Sequence, residues 1–154
     1  MVLLLALVMS LLLGFTVSSA LRDALLQSWS MGSVRAAAQA LEQAEATLVE
    51  GAGRLTLIPP AACSPCLPPG DPHRLLGNES PWQAGEQGYF LLQQLGATTQ
   101  AAHLPNGTSV TLFRVTAVSR QVAARKALEA IYAVGGEQAG PPQRVAWRQR
   151  SRER

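Results

Sequence analysis

The sequence predicts an α+β fold in which one long N-terminal helix packs on a small antiparallel β-sheet. Residues 1–21 carry no charged side chain, and residues 22–50 contain no proline and repeat apolar residues at helical spacing. Later segments rich in Val, Thr and aromatic residues are separated by Pro- and Gly-rich stretches, as is typical of strands and turns. With 154 residues, the chain has room for one compact domain beside the apolar segment.

Residues 1–21 have the composition of a membrane-spanning helix. Leu, Val, Ala and Met dominate them, and the first charged side chains are Arg22 and Asp23. About 20 apolar residues suffice to cross a bilayer, and a helix satisfies its own backbone hydrogen bonds there. The alternative is a cleaved secretory signal with its cleavage site at Ser18–Ala20. No basic residue precedes the run, however, and the run is longer than a usual signal core.

Residues 22–52 continue the same helix in amphipathic form. One mostly apolar stripe recurs at three- and four-residue steps, and Gly51-Ala52-Gly53 provides a C-terminal stop. Because a stripe of this kind must be buried, we predict that it packs on the sheet. The residues assigned to this helix–sheet contact are Trp29, Leu41, Ala44 and Leu48.

Residues 53–137 are predicted to form a globular head, and residues 138–154 a flexible or peripheral basic tail. A Pro-rich loop occupies 59–87, and Leu104–Thr108 is a strong turn signal. Residues 122–134 are compatible with either a helix or a strand, and we favour a strand because the preceding strand needs a partner. The predicted strands are 54–58, 88–95, 109–120 and 126–134.

The positive net charge is concentrated in the tail. Five of the thirteen basic residues lie there, and the rest of the chain is nearly neutral. A short basic segment on a neutral body indicates a solvated or surface-binding end, so no nucleic-acid partner is expected. The five are Arg144, Arg148, Arg150, Arg152 and Arg154.

Cys63-Ser64-Pro65-Cys66 is the only motif with evident chemistry. A redox-active pair requires a thioredoxin-like context, and a zinc site requires two further ligands beyond the nearest histidine, His73. The Pro-rich surroundings provide neither, so we predict a structural disulfide that braces the loop outside the cytoplasm. No metal or other cofactor is expected.

Nothing in the sequence indicates catalysis. His73 and His103 are isolated, the carboxylates form no recognisable pair, and no nucleophile elbow or phosphate-binding loop is present. The chain is therefore expected to be a structural protein and not an enzyme.

Three segments resemble the PilX-type minor pilins of type IV pili. They are VLLLALVMSLLLG with SALRDALLQ, then Gln43–Ala46 with Leu48, and then Phe113–Thr116 with Leu128, Tyr132 and Val145–Arg148. The resemblance implies a pilin-like fold and a minor subunit that primes or joins pilus assembly. It implies other minor pilins, the major pilin, the inner membrane and prepilin peptidase as partners. It also implies a single-pass protein of the bacterial inner membrane with a periplasmic head.

The chain departs from the family pattern at three places. Ser28-Trp29-Ser30 stands where charged residues are usual, and no basic leader precedes Met1, which is then either the mature first residue or an assigned start. Leu5 replaces the glutamate that pairs with a neighbouring N-terminus in most pilins. An unpaired charge in an apolar filament costs several kcal/mol, so a subunit without this carboxylate suits the growing tip.

The small residues Ala6, Ser10 and Gly14 recur at four-residue spacing and are candidates for a helix-packing face. The alternatives to a pilus subunit are a minor pseudopilin of a type II secretion system and a membrane-anchored periplasmic binding or redox module that does not polymerise.

Overall fold

The computed structural model describes residues 2–72, 81–121, 124–135 and 140–151, without the side chains of residues 13, 16, 19 and 20. The fold is α+β, with one helix followed by antiparallel strands that pair in chain order. The elements are α1 (Val2–Leu57), β1 (Gln83–Ala84), β2 (Gly88–Thr98), β3 (Val110–Ser119), β4 (Ala127–Gly135) and β5 (Gln143–Arg150).

The chain divides into two compact units, and α1 contributes to both. The first unit, Met1–Ala36, is helical throughout its described residues. The second unit, Ala37–Arg154, contains the remainder of α1 and the five-stranded sheet.

The helix ends at Leu57, five residues beyond the predicted end, and the predicted strand at 54–58 is wrong. Gly51 and Gly53 lie inside the helix, where each costs about 1 kcal/mol relative to alanine. Leu55 continues the buried stripe and is almost fully buried, and burying a leucine contributes about 1.5–3 kcal/mol. The helix stops before Pro59 and Pro60, which have no N–H to donate.

The core of the second unit lies between α1 and one face of the sheet. Ala44 and Leu48 are buried there, and Leu41 is partly buried against them. Alternate residues of the three central strands face the helix, as the two-residue period of a strand requires. The cluster comprises Ala44, Leu48, Ala52, Leu55, Phe90, Leu92, Phe113, Val115, Ala117, Leu128, Ala130 and Tyr132.

The predicted contact of Trp29 with the sheet is not present in the structure. The side chain of this residue is 76% exposed, and the residue belongs to the first unit. The first fully buried residue of α1 is Ala40, eleven residues later in the sequence, which is about three helical turns. The apolar stripe of α1 therefore begins earlier in the sequence than the part of the helix that is buried against the sheet.

Close packing also requires small residues at the sheet. A Cβ on Gly88 would collide with the carbonyl oxygen of Val118 in the adjacent strand β3, and would lie 2.8 Å from Thr47 Oγ1. Within β2 the ladder shifts register between Gln94 and Gly96, and Gly96 has a φ of +123° that other residues rarely adopt.

The sheet is larger than the sequence indicated. The strand favoured over a helix at 126–134 is present as β4, and the predicted turn at 104–108 precedes β3, with Gly107 at a φ of +89°. The short strand β1 lies within the predicted loop. The predicted tail is wrong in part, because residues 143–150 form β5, which pairs antiparallel with β4.

Candidate functional site

The first unit presents an exposed apolar surface. Its large apolar side chains between Val2 and Val17 are 47–85% exposed, including Leu5. The side chains concerned are Val2, Leu3, Leu4, Leu5, Leu7, Val8, Met9, Leu11, Leu12, Phe15 and Val17.

The predicted packing residues lie within this surface. Ala6, Ser10 and Gly14 are exposed and follow one another at the spacing that places side chains on one helix face. Ser10 Oγ donates a hydrogen bond to the Leu7 carbonyl at 2.9 Å, so its hydroxyl is satisfied within the helix. A Cβ on Gly14 would meet no atom within 4 Å. Met1 lies outside the described residues.

Over the residues that the structure describes, no helical stretch combines the length and the apolarity that crossing a bilayer requires.

Cys63 and Cys66 form a disulfide, with their Cα atoms 5.1 Å apart. The two Sγ atoms lie 3.1 and 3.0 Å from the carbonyl oxygen of Gln94, and Ala62 forms a parallel bridge with the same residue. The disulfide thus lies against the outer edge of β2. Cys63 follows the C-terminal end of α1 and begins no helix, so it lacks the helix N-terminus that lowers the pKa of redox-active cysteines.

Residues 59–72, which we call the strap, cross the face of the sheet opposite α1. Three sheet side chains hold the strap by donating to its backbone carbonyls. Gln93 Nε2 donates to Leu67 at 2.9 Å, Arg114 Nη1 to Cys66 at 3.4 Å, and Arg150 Nη1 to Pro69 at 2.7 Å. Because these donors belong to β2, β3 and β5, the strap extends across most of the sheet.

A buried carboxylate lies on this second face. Glu129 in β4 is only 5% exposed, while its neighbours Leu128 and Ala130 belong to the core on the other face. Arg148 in β5 is directly opposite in the ladder and donates to Glu129 Oε1 from Nε at 3.0 Å. Its Nη2 lies 2.8 Å from the same oxygen. A buried charge needs this kind of pairing to offset its desolvation.

Two further arginines complete the charge cluster, and both also hold the strap. Arg114 Nε lies 3.8 Å from Glu129 Oε1, and Arg150 Nη1 lies 3.9 Å from Glu129 Oε2. Glu129 therefore connects the two strands that flank β4, which are β3 and β5, with the strap. The cluster was not predicted from the sequence, although a lone glutamate in the apolar run Ala127–Val134 was a signal for it.

A polar groove of about 570 Å³ lies between α1 and the β2–β3 end of the sheet. Gln43 Oε1 accepts a hydrogen bond from the Gln121 N–H at 3.3 Å. Glu50 Oε2 likewise accepts one from the Glu86 N–H at 3.0 Å, so both side chains fix loops to the helix. The groove is lined by Gln39, Glu42, Gln43, Ala46, Gln87, Arg120 and Gln121.

Tyr132 is the titratable side chain of the core. Burial raises the pKa of its phenol above the ordinary value, and the nearby Arg144 lowers it by a smaller amount. His73 lies outside the described residues. Within those residues, no group of three or more His, Cys, Asp or Glu side chains is placed to hold a metal ion.

No protein-family model, curated protein or solved structure matches the chain.

Proposed function

We propose that the chain is a minor pilin-like structural subunit that primes or joins assembly of a type IV pilus. The observation that carries the proposal is the division of α1. Its second part packs on a small antiparallel sheet, whereas its first part leaves its apolar side chains exposed. This arrangement is compatible with a pilin-like fold. The chain then has a folded head and an apolar helical segment that is available to contact other helices or lipid.

The exposed apolar surface supports a role in assembly. Covering a leucine or valine side chain contributes about 1.5–3 kcal/mol, so a row of such side chains strongly favours association. Ala6, Ser10 and Gly14 allow helix backbones to approach closely, as in associated membrane helices. Before incorporation, the uncharged residues 1–21 hold the chain in the bacterial inner membrane, with the head in the periplasm.

The partners in this proposal are other minor pilins and the major pilin, with prepilin peptidase acting on the precursor. Leu5 motivates a position at or near the pilus tip, provided that Met1 is the mature first residue. Without a carboxylate at this position, the subunit cannot compensate the N-terminal charge of a neighbour in the apolar filament core.

The test uses a tagged full-length chain expressed in its own cells. We expect sheared pili to contain the chain, with label at or near one end, and N-terminal mass analysis to show a methylated amine on Met1. Even labelling along the shaft contradicts the tip position. Absence from pili, together with normal piliation after deletion, contradicts the pilin proposal.

A matched pair of variants tests the packing face. Gly14→Leu adds bulk on the face of the small residues, whereas Val8→Leu adds it on the opposite side of the same helix. We expect Gly14→Leu to be lost from sheared pili while Val8→Leu is retained. Equal incorporation of both variants removes the role assigned to the face.

A further inference from the structure

The outer edge of β5 is a strand edge with no strand paired to it among the described residues. The sheet order ends at β5, and most of that strand is exposed. Every second residue of an edge strand directs its N–H and C=O groups outward, where they form a template for another strand. The two-residue β1, at the other end of the sheet, offers little comparable edge.

The regular part of this edge is short. The β4–β5 ladder changes register between Ile131 and Tyr132, because Ala146 pairs with the first and Arg144 with the second. Val145 is therefore the extra residue of a bulge, which interrupts the edge. Residues 146–150 pair regularly with β4 and provide a continuous edge of five residues.

The side chains around this edge are basic and aromatic. β5 contains Arg144, Arg148 and Arg150 and no acidic residue. Arg148 keeps 61% of its side chain exposed although it binds Glu129, and Arg144 is exposed. Trp147 is 57% exposed, and tryptophan and arginine are the residues most enriched at binding hot spots.

The positive charge of β5 indicates which kind of strand can pair with its edge. Pairing with β5 of a second copy would bring like charges directly opposite one another, which destabilises a sheet. A partner strand that carries Glu or Asp would instead place opposite charges beside Arg144 and Arg148. The charge complementarity therefore favours an acidic strand from a different protein.

We propose that residues 146–150 of β5 bind an extended acidic segment of another protein, which pairs with the edge as a sixth strand. Backbone hydrogen bonds provide affinity, and the arginines with Trp147 provide selectivity. The proposal does not rest on the pilus role, because it involves only the second unit. A head that never polymerises would present the same edge.

The probe is a short labelled peptide of alternating Glu and Val, added to the full-length chain in detergent. We expect it to bind and to protect alternate amides of residues 146–150 from hydrogen exchange. A peptide with Lys in place of Glu should bind at least about tenfold more weakly. Two further peptides are N-methylated, one at odd and one at even positions. Only one of these should lose binding, because a paired strand directs alternate N–H groups toward its neighbour.

Matched variants of the chain locate the site. Trp147→Ala should weaken binding about tenfold, whereas Trp29→Ala, which removes an exposed tryptophan of the first unit, should not. Arg144→Glu should weaken it about fivefold, and Arg35→Glu, with the same change in charge, should leave it unchanged. Equal effects within either pair overturn the proposal.

Three other results also overturn it. They are the absence of peptide binding, equal sensitivity to both N-methylated peptides, and protection outside residues 143–150. Displacement of the acidic peptide by an oligonucleotide or an anionic vesicle at equal concentration overturns it as well, because the edge would then be a general anion-binding surface.

Discussion

Glu129 and Arg148 face each other across the β4–β5 ladder, with Oε1 and Nη2 2.8 Å apart. The carboxylate is buried while the guanidinium remains largely exposed. Because a buried carboxylate is stable as an ion only when paired, this contact links the last strand, β5, to β4.

Glu129→Gln should destabilise the second unit by about 3 kcal/mol or more, because it removes the buried negative charge that Arg114, Arg148 and Arg150 surround. Urea unfolding in mild detergent measures the change. The control is Glu42→Gln on the exposed side of α1, which should change the free energy of unfolding by less than about 0.5 kcal/mol. Equal effects of the two substitutions would show that the carboxylate is not structurally important.

Loss of the disulfide should affect the strap more than the sheet. Replacing both Cys63 and Cys66 by Ser should cost about 2 kcal/mol, because the ring they close is short. Amides of the strap should lose protection from hydrogen exchange while those of β3 and β4 keep it. Treatment of the native chain with a thiol reductant should give the same pattern. Global unfolding in either experiment would contradict the assignment of the disulfide as a local brace.

Gly88→Ala should destabilise the fold by about 1–3 kcal/mol, because the added Cβ would overlap the Val118 carbonyl oxygen in the adjacent strand. Gly53→Ala provides the matched control. Its Cβ would meet no atom within 4 Å and would lie inside α1, so it should stabilise the helix by about 0.5–1 kcal/mol. Thermal unfolding of the two variants should therefore shift in opposite directions, and a shared direction would refute the argument.

Tyr132 gives the fold a stability limit at high pH. Since burial raises the pKa of its phenol, the folded chain holds this proton more tightly than the unfolded chain. Its contribution is complete below the unfolded pKa of about 10 and is lost as the pH rises toward the folded pKa. Tyr132→Phe should reduce the fall in the free energy of unfolding above about pH 10. An unchanged alkaline profile in Tyr132→Phe would exclude this origin.

The sequence specified the parts of the fold that depend on local pattern. Ala44 and Leu48 repeat at helical spacing, and the Val- and Thr-rich β3 has a clear strand composition. The conformation of β4 was harder to predict, because the start of this segment also suits a helix. Its pairing with β3 and β5 on both sides determines its conformation. Propensity alone does not include such pairing.

The remaining features depend on contacts between distant residues. β5 lacks the alternation of apolar and polar residues that predicts a strand. Its arginines indicate a structural role only when Glu129 is known to lie beside them. The strap is held through backbone carbonyls of Cys66, Leu67 and Pro69, and a carbonyl is present at every residue, so its position leaves little trace in the sequence. Trp29 is the opposite case. It belongs to the apolar pattern that repeats along α1, but its side chain is exposed.

Because the chain is synthesised from its N-terminus, β4 is made before β5, which supplies two of the arginines around Glu129. Glu129 leaves the ribosome before Arg148 and Arg150, so β4 cannot pair its carboxylate fully until β5 has emerged. We therefore expect purified truncated chains that end before residue 148 to remain sensitive to protease in β4, and chains that include residue 150 to become resistant. The head would then complete its fold only when its last strand pairs.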